Sequence, residues 1–142
     1  MSEPEISLKT ALRVCLFSAL FAIGACQQGK PDFRATDITG ADFGRDFALT
    51  DHTGTPRALA HFRGRVVVMF FGFTHCPDAC PTTLAELAVA VKKLGAEGDK
   101  VQVLMVTVDP ERDTPQVLSQ YVTGFDPRFL ALRGTAEENA RV

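Results

Sequence analysis

Cys76 and Cys80 are the residues of this 142-residue chain best suited to chemistry. They stand in Thr74-His75-Cys76-Pro77-Asp78-Ala79-Cys80-Pro81, each followed by proline. A thiol pair at this spacing serves thiolate metal binding, disulfide exchange, or both, because a thiolate is at once a soft ligand and a nucleophile. An inert staple is the weaker reading, since closing so short a loop removes little entropy from the unfolded chain. Proline disfavours helical backbone in the residue before it, which predicts that both cysteines are extended. Pro77-Asp78 then suits the centre of a turn, and Pro81 the first helical position. Cys80 is thereby expected at an N-cap, its sulfur near the positive end of a helix and more readily ionised than a free thiol. Thr74 and Asp78 are candidates to donate to or accept from the sulfurs.

The elements around the pair read as an α/β domain. Val66 to Phe71 is a continuous apolar run, the pattern of a strand covered on both faces, and Gly72 lets the chain bend as it leaves. Leu84, Leu87, Ala88, Val91 and Leu94 recur at helical spacing, with Gly95 as the stop. Val101 to Val108 predicts a second buried strand, parallel to the first. Ligand sites in parallel sheets lie beyond the carboxyl ends of the strands, so the loop Asp109-Pro110-Glu111-Arg112-Asp113-Thr114-Pro115 is expected beside the cysteines. In that loop Asp109 would tune thiol ionisation or pair with Arg112, and Asp113 or Thr114 would cap the next helix. That helix is predicted from Pro115 to Gly124, with Leu118, Tyr121 and Val122 inward. Phe129 to Leu132 reads as a short strand. Asp51-His52-Thr53-Gly54 between two β-forming stretches predicts a hairpin.

The remaining composition bounds the function. A formal net charge of -2 gives no basic footprint, so nucleic acid is not an expected partner. Three histidines are present, and none stands at a zinc-site spacing from the cysteines. At the N-terminus an uncharged apolar stretch, Val14 to Ala25, follows Lys9 and Arg13 and is too short for a comfortable span. It predicts a signal peptide over residues 1–25, followed by a linker over 26–35 and a folded domain over 36–142. Ile23-Gly24-Ala25 before Cys26 resembles the bacterial lipobox, which would place lipid on Cys26 and anchor the chain to a membrane. An ordinary cleavage after Gly24, or an uncleaved anchor, are the alternatives. Cys15 would go with the leader, leaving Cys76 and Cys80 as the thiols of the folded domain.

Several segments together resemble the SCO/SenC family. These are Phe43 to Leu49 with Asp51 and Gly54, then Phe62-Arg63-Gly64-Arg65, then Phe71 to Pro81, and Val106 to Pro115. The resemblance implies a thioredoxin-like fold, membrane tethering, and copper delivery to the CuA site of cytochrome c oxidase. Subunit II of that oxidase and periplasmic copper carriers would be the partners, and the periplasmic side of a bacterial cell envelope the location. It also implies that Cys76 and Cys80 are the copper-binding and redox-active pair, around which the turn and the strand order already place Asp78 and Asp109. Some family members are credited instead with thiol-disulfide exchange.

The family's third copper ligand is a histidine in a later hairpin, and no histidine follows His75 here. Thr135-Ala136-Glu137-Glu138 reads as a capping box that opens a helix close to the end of the chain. The expectation is therefore a thioredoxin-like fold incomplete at its C-terminal end. Two thiolates suit Cu(I), while Cu(II) would want the imidazole. A thiol-disulfide oxidoreductase needs only the pair itself, and a truncated, non-functional family member is the remaining alternative. A peroxidase of the peroxiredoxin type fits less well, because its threonine- and proline-rich approach to a single cysteine is not what surrounds Cys76.

Overall fold

Residues 34–41 and 46–142 are described by the computed structural model. The chain divides into two units, Met1–Gly40 and Ala41–Val142. The described part of the first is a short segment in which the Asp37 carboxylate accepts a hydrogen bond from the Thr39 N–H at 2.9 Å. The expected leader, the lipid site at Cys26 and most of the expected linker lie outside the described residues.

The second unit opens with a hairpin. Strands β1 (Ala48–Asp51) and β2 (Pro56–Ala58) pair antiparallel around the expected turn. Asp51 is buried at its centre and accepts from the Thr53 N–H and hydroxyl, the Thr55 N–H and Arg57 Nε, at 2.6–3.0 Å. Four donors on one carboxylate explain how a charge is tolerated there.

The chain then forms β3 (Val66–Gly72), α1 (Ala79–Lys93) and β4 (Val101–Thr107). β3 and β4 run parallel, in register from Val66 opposite Val101 to Gly72 opposite Thr107. Helix α2 (Pro115–Thr123) leads to β5 (Leu130–Arg133), parallel to β4, and a short α3 (Ala136–Asn139) follows. The sheet order is β2-β1-β5-β4-β3, with β1 antiparallel to β5. Thr114 caps α2, its hydroxyl accepting from the Val117 N–H. The Thr135/Glu138 capping box opens α3 as expected, each side chain accepting from the other residue's N–H.

β4 explains its own composition. Val103 and Met105 point to one face with Leu84 and Val91 of α1, Leu118 and Val122 of α2, and Phe129. Leu104 and Val106 point to the other face, with Phe47, Leu49, Phe62 and Leu132. Each leucine fully buried in this way contributes about 1.5–3 kcal/mol relative to exposure. β3 departs from the expected cover on both faces. It is the last strand of the sheet among the described residues, and Val66 and Phe71 are exposed. Its apolar run resembles that of β4, so place in the sheet, not composition, separates the two. Leu94 is likewise exposed, because α1 ends there and Gly95 turns the chain away with a φ of +56°. No helix among the described residues is long and apolar enough to cross a membrane.

Candidate functional site

Gly72 ends β3, and the chain crosses from strand to helix through residues 73–78. The Cys76 N–H donates to the Phe73 carbonyl at 3.2 Å, closing a tight turn. α1 begins at Ala79, so Cys80 lies inside its first turn and is not the N-cap expected from the prolines. Proline is tolerated at position 81 because the first-turn N–H groups have no intrahelical acceptor to lose. Helix formation and burial of the Cys80 side chain outweigh the pre-proline preference for extended backbone.

The two sulfurs meet across this junction. The Cys80 N–H donates to Cys76 Sγ at 3.3 Å, so the Cys76 sulfur occupies the capping role that the Asp78 side chain leaves vacant. Cys80 turns inward and is buried, while Cys76 is half-buried. A Cβ on Gly72 would stand 2.9 Å from Cys80 Sγ, so the absence of a side chain there makes room for the thiol. Both cysteines are free thiols.

Their ionisation is unequal, and Cys80, expected to ionise more readily than a free thiol, does so less readily. The Cys80 thiol and N–H, together with the Asp78 and Ala79 N–H groups, hold the Cys76 thiol below the ordinary range. Burial pushes the Cys80 thiol up, and its hydrogen bond with Cys76 adds to this. The helix N-terminus therefore favours the thiolate at Cys76, which folds back over the free amides, and not at Cys80, which lies behind them.

The loop after β4 lies beside the pair. Val108 N–H donates to the Gly72 carbonyl at 2.9 Å, continuing the ladder past the strand ends. Asp113, with no exposed surface, accepts from the Thr74 hydroxyl at 2.6 Å, the Thr74 N–H at 3.2 Å and the Thr107 hydroxyl at 2.5 Å. Sequence reasoning offered Asp113 only as a helix cap. A cap and a buried acceptor look alike in one dimension, and the signal available was a threonine near the end of each strand. Asp109 pairs with Arg112, which lowers its pKa, and makes no hydrogen bond to a sulfur. Asp78 accepts from the Thr82 hydroxyl at 3.3 Å.

The histidines are engaged locally. His52 Nδ1 accepts from the Ala131 N–H, His61 Nδ1 from the Ala58 N–H, and His75 Nδ1 lies 3.2 Å from the Thr74 hydroxyl. No cluster of three or more His, Cys, Asp or Glu side chains that could hold a metal occurs among the described residues. A cleft of about 490 Å³ lies between the hairpin turn, Pro110–Glu111 and Gly134–Ala136, and neither cysteine lines it.

A parallel strand–helix junction carrying an unequal pair of thiols, in a mixed sheet with helices, defines a thioredoxin-like dithiol protein. The chain belongs to the SCO1/SenC family, whose sequence model matches residues 35–142. It is 53% identical over 117 residues to the mitochondrial SCO2 homolog of Mus musculus, covering 80% of this chain and 46% of that protein. Among solved structures it is similar to copper-bound ScoI of Bradyrhizobium japonicum, at TM-score 0.66 and 41% identity, covering 70% of this chain and 64% of that one. BsSco, described as a member of the Sco family of cytochrome c oxidase assembly proteins, is 31% identical at TM-score 0.55, covering 66% of this chain and 56% of that one. The chain spans about half the length of the curated relatives it matches. The expected location is corrected by curated relatives such as the SCO2 homologs of Bos taurus and Mus musculus, which are mitochondrial and point to mitochondria, not to a bacterial cell envelope.

Proposed function

We propose that this chain is a copper-binding protein of cytochrome c oxidase assembly, carrying Cu(I) between Cys76 and Cys80 for delivery to the CuA site of subunit II. The observation that carries the reading is the pairing of the two thiols across the β3–α1 junction, with the Cys80 N–H on Cys76 Sγ. Two thiolates form a soft donor set, and Cu(I) accepts low coordination. Copper is here the cargo, and the described residues add no imidazole to the pair, so Cu(II) is expected to bind weakly. Tethering to a membrane through the apolar stretch before Cys26 is part of the same proposal. Titration of the reduced chain against a competing Cu(I) chelator tests it: one equivalent should bind tightly and be lost in Cys76→Ser. Wild-type protein that fails to compete with the chelator would sink the reading.

The unequal ionisation of the thiols favours a second reading, thiol-disulfide exchange with oxidase or copper-carrier cysteines. The half-buried Cys76 thiolate attacks a substrate disulfide, forms a mixed disulfide and expels one substrate thiolate. Cys80 then gives up its proton and attacks Cys76, releasing the second substrate thiol and leaving a Cys76–Cys80 disulfide. Two electrons pass to the substrate. Turnover that survives copper chelation, with Cys80→Ser trapped as a mixed disulfide, is the expected result. Loss of turnover on chelation would exclude it.

A further inference from the structure

We propose that Asp113 is a positioning residue that latches the dithiol loop to the sheet, joining Thr74, two residues ahead of Cys76, to Thr107 at the end of β4. The proposal rests on the dithiol reading above and extends it to a residue outside the thiol motif. Past Gly72 the chain leaves the β3–β4 ladder, and the bonds within residues 73–82 are internal to the loop and its helix: Cys76 to Phe73, Cys80 to Cys76, Thr82 to Asp78. Among the described residues, Asp113 is the one side chain from outside that segment that hydrogen-bonds to it.

The latch is built for a carboxylate. Both oxygens act only as acceptors, Oδ1 for the Thr74 hydroxyl and N–H, Oδ2 for the Thr74 N–H and the Thr107 hydroxyl. The Thr107 hydroxyl in turn accepts from the Asp109 N–H at 3.1 Å, and the Asp113 N–H donates to the Asp109 carbonyl at 3.0 Å. The loop after β4 is thus folded around its own strand end before it takes hold of Thr74. Asparagine would present an amide NH₂ to at least one of these donors, and alanine would leave a buried amide and two hydroxyls without an acceptor. With the latch open, the turn that carries Cys76 is free to move away from α1. The Cys80 N–H would then lose its sulfur acceptor, and buried Cys80 would meet solvent.

The test compares the reduced wild-type chain with Asp113→Ala, Asp113→Asn and Thr74→Val. Asp51→Asn serves as a control that disturbs a buried carboxylate bonded only within the hairpin. Two readouts are followed: iodoacetamide alkylation of Cys80, and amide hydrogen exchange at Thr74 and Cys80 against Leu104 in the core. Asp113→Ala should speed Cys80 alkylation and Thr74 and Cys80 exchange about tenfold or more with Leu104 unchanged, the scale expected for lost buried hydrogen bonds. Thr74→Val, which keeps the backbone bond and disturbs the fold least, should speed them several-fold, and Asp113→Asn should fall between. Should Asp113→Ala not fold, the other two variants carry the test. Wild-type rates in Thr74→Val and Asp113→Asn overturn the proposal. So does an equal acceleration in Asp51→Asn, which would mark the effect as global. These readouts need no copper, so a wild type that fails to bind Cu(I) removes the copper reading and leaves the latch standing.

Discussion

Gly72→Ala is the substitution whose outcome follows most directly from the packing of the dithiol. Gly72 does not have a positive φ, so alanine fits the backbone, and by conformational entropy alone the change should stabilise the strand by roughly 0.5–1 kcal/mol. The new Cβ would stand 2.9 Å from Cys80 Sγ, 3.3 Å from Phe70 Cε2 and 3.6 Å from Met105 Cε. Ordinary carbon contacts lie at about 3.5–4.0 Å, so the sulfur would have to retreat by roughly 0.6–1 Å. Overpacking of this size costs about 1–3 kcal/mol, which outweighs the entropic gain and leaves a net loss of about 1–2 kcal/mol. For a domain of this size that is a fall in Tm of roughly 5–10 °C. The retreat also shifts Cys80 relative to Cys76, so Cu(I) affinity should fall. The assay is a thermal melt of the reduced protein beside a Cu(I) chelator competition, repeated in a Cys80→Ala background. There the obstructing sulfur is gone, and Gly72→Ala should become neutral or stabilising by ~0.5–1 kcal/mol. The sign reversal is the discriminating result. If Gly72→Ala costs the same stability with and without the Cys80 sulfur, Gly72 is not what makes room for the thiol and the reasoning fails.

Other outcomes follow from the same contacts. Cys76 should alkylate faster than Cys80 near pH 7, and its rate should fall as pH drops through its lowered pKa and the thiolate is protonated; mass spectrometry of singly labelled protein reads both. Burial opposes ionisation of Asp51, but its bonds from Thr53, Arg57 and Thr55 outweigh burial and lower its pKa from 3.8 to about 2. Its stabilising contribution is therefore full above pH ~4 and lost as pH falls through about 2, amounting to roughly 2 kcal/mol by linkage. Urea unfolding from pH 6 to 2 should show that loss in wild type and a smaller one in Asp51→Asn. Thr114→Ala removes the cap of α2 and should cost about 1 kcal/mol by the same unfolding assay without altering Cu(I) affinity.

Much of the architecture was legible because the periodicities were unambiguous. The hairpin, the parallel β3–β4 pair with its connecting helix, and the Thr135 cap all follow from apolar spacing and turn residues, and of the two caps open for α2, Asp113 or Thr114, it is Thr114 that serves. What was not legible depends on position in three dimensions. β3 and β4 are both largely apolar, yet β4 is buried between neighbours and β3 lies at the end of the described sheet. The prolines correctly mark a turn and a helix start, but the helix begins before Cys80, so the eased ionisation expected of Cys80 falls to Cys76 instead. A register error of two residues at a helix N-terminus is small in sequence and decides which sulfur meets the free amides. Asp113 was misjudged for a related reason: the loop after β4 holds two aspartates, and only the packed structure separates the solvent-facing ion pair of Asp109 from the buried acceptor.

The inequality of the thiols also orders the two functional readings. A Cys76–Cys80 disulfide uses both sulfurs in one covalent bond, so the oxidised pair offers no thiolate to a soft cation, and both readings start from the reduced pair, which either takes up copper or reduces a substrate disulfide and becomes the disulfide itself. In the reduced state burial keeps the Cys80 thiol protonated, and on the copper reading Cu(I) would have to displace that proton. The cation brings its own positive charge into the buried position, which offsets the desolvation that otherwise keeps the thiol neutral. On the copper reading the cation would be what stabilises a Cys80 thiolate beneath Gly72, while a substrate disulfide would need only the thiolate that the helix N-terminus already favours at Cys76. The same burial that slows Cys80 as a nucleophile would shield a Cu(I) held there from water.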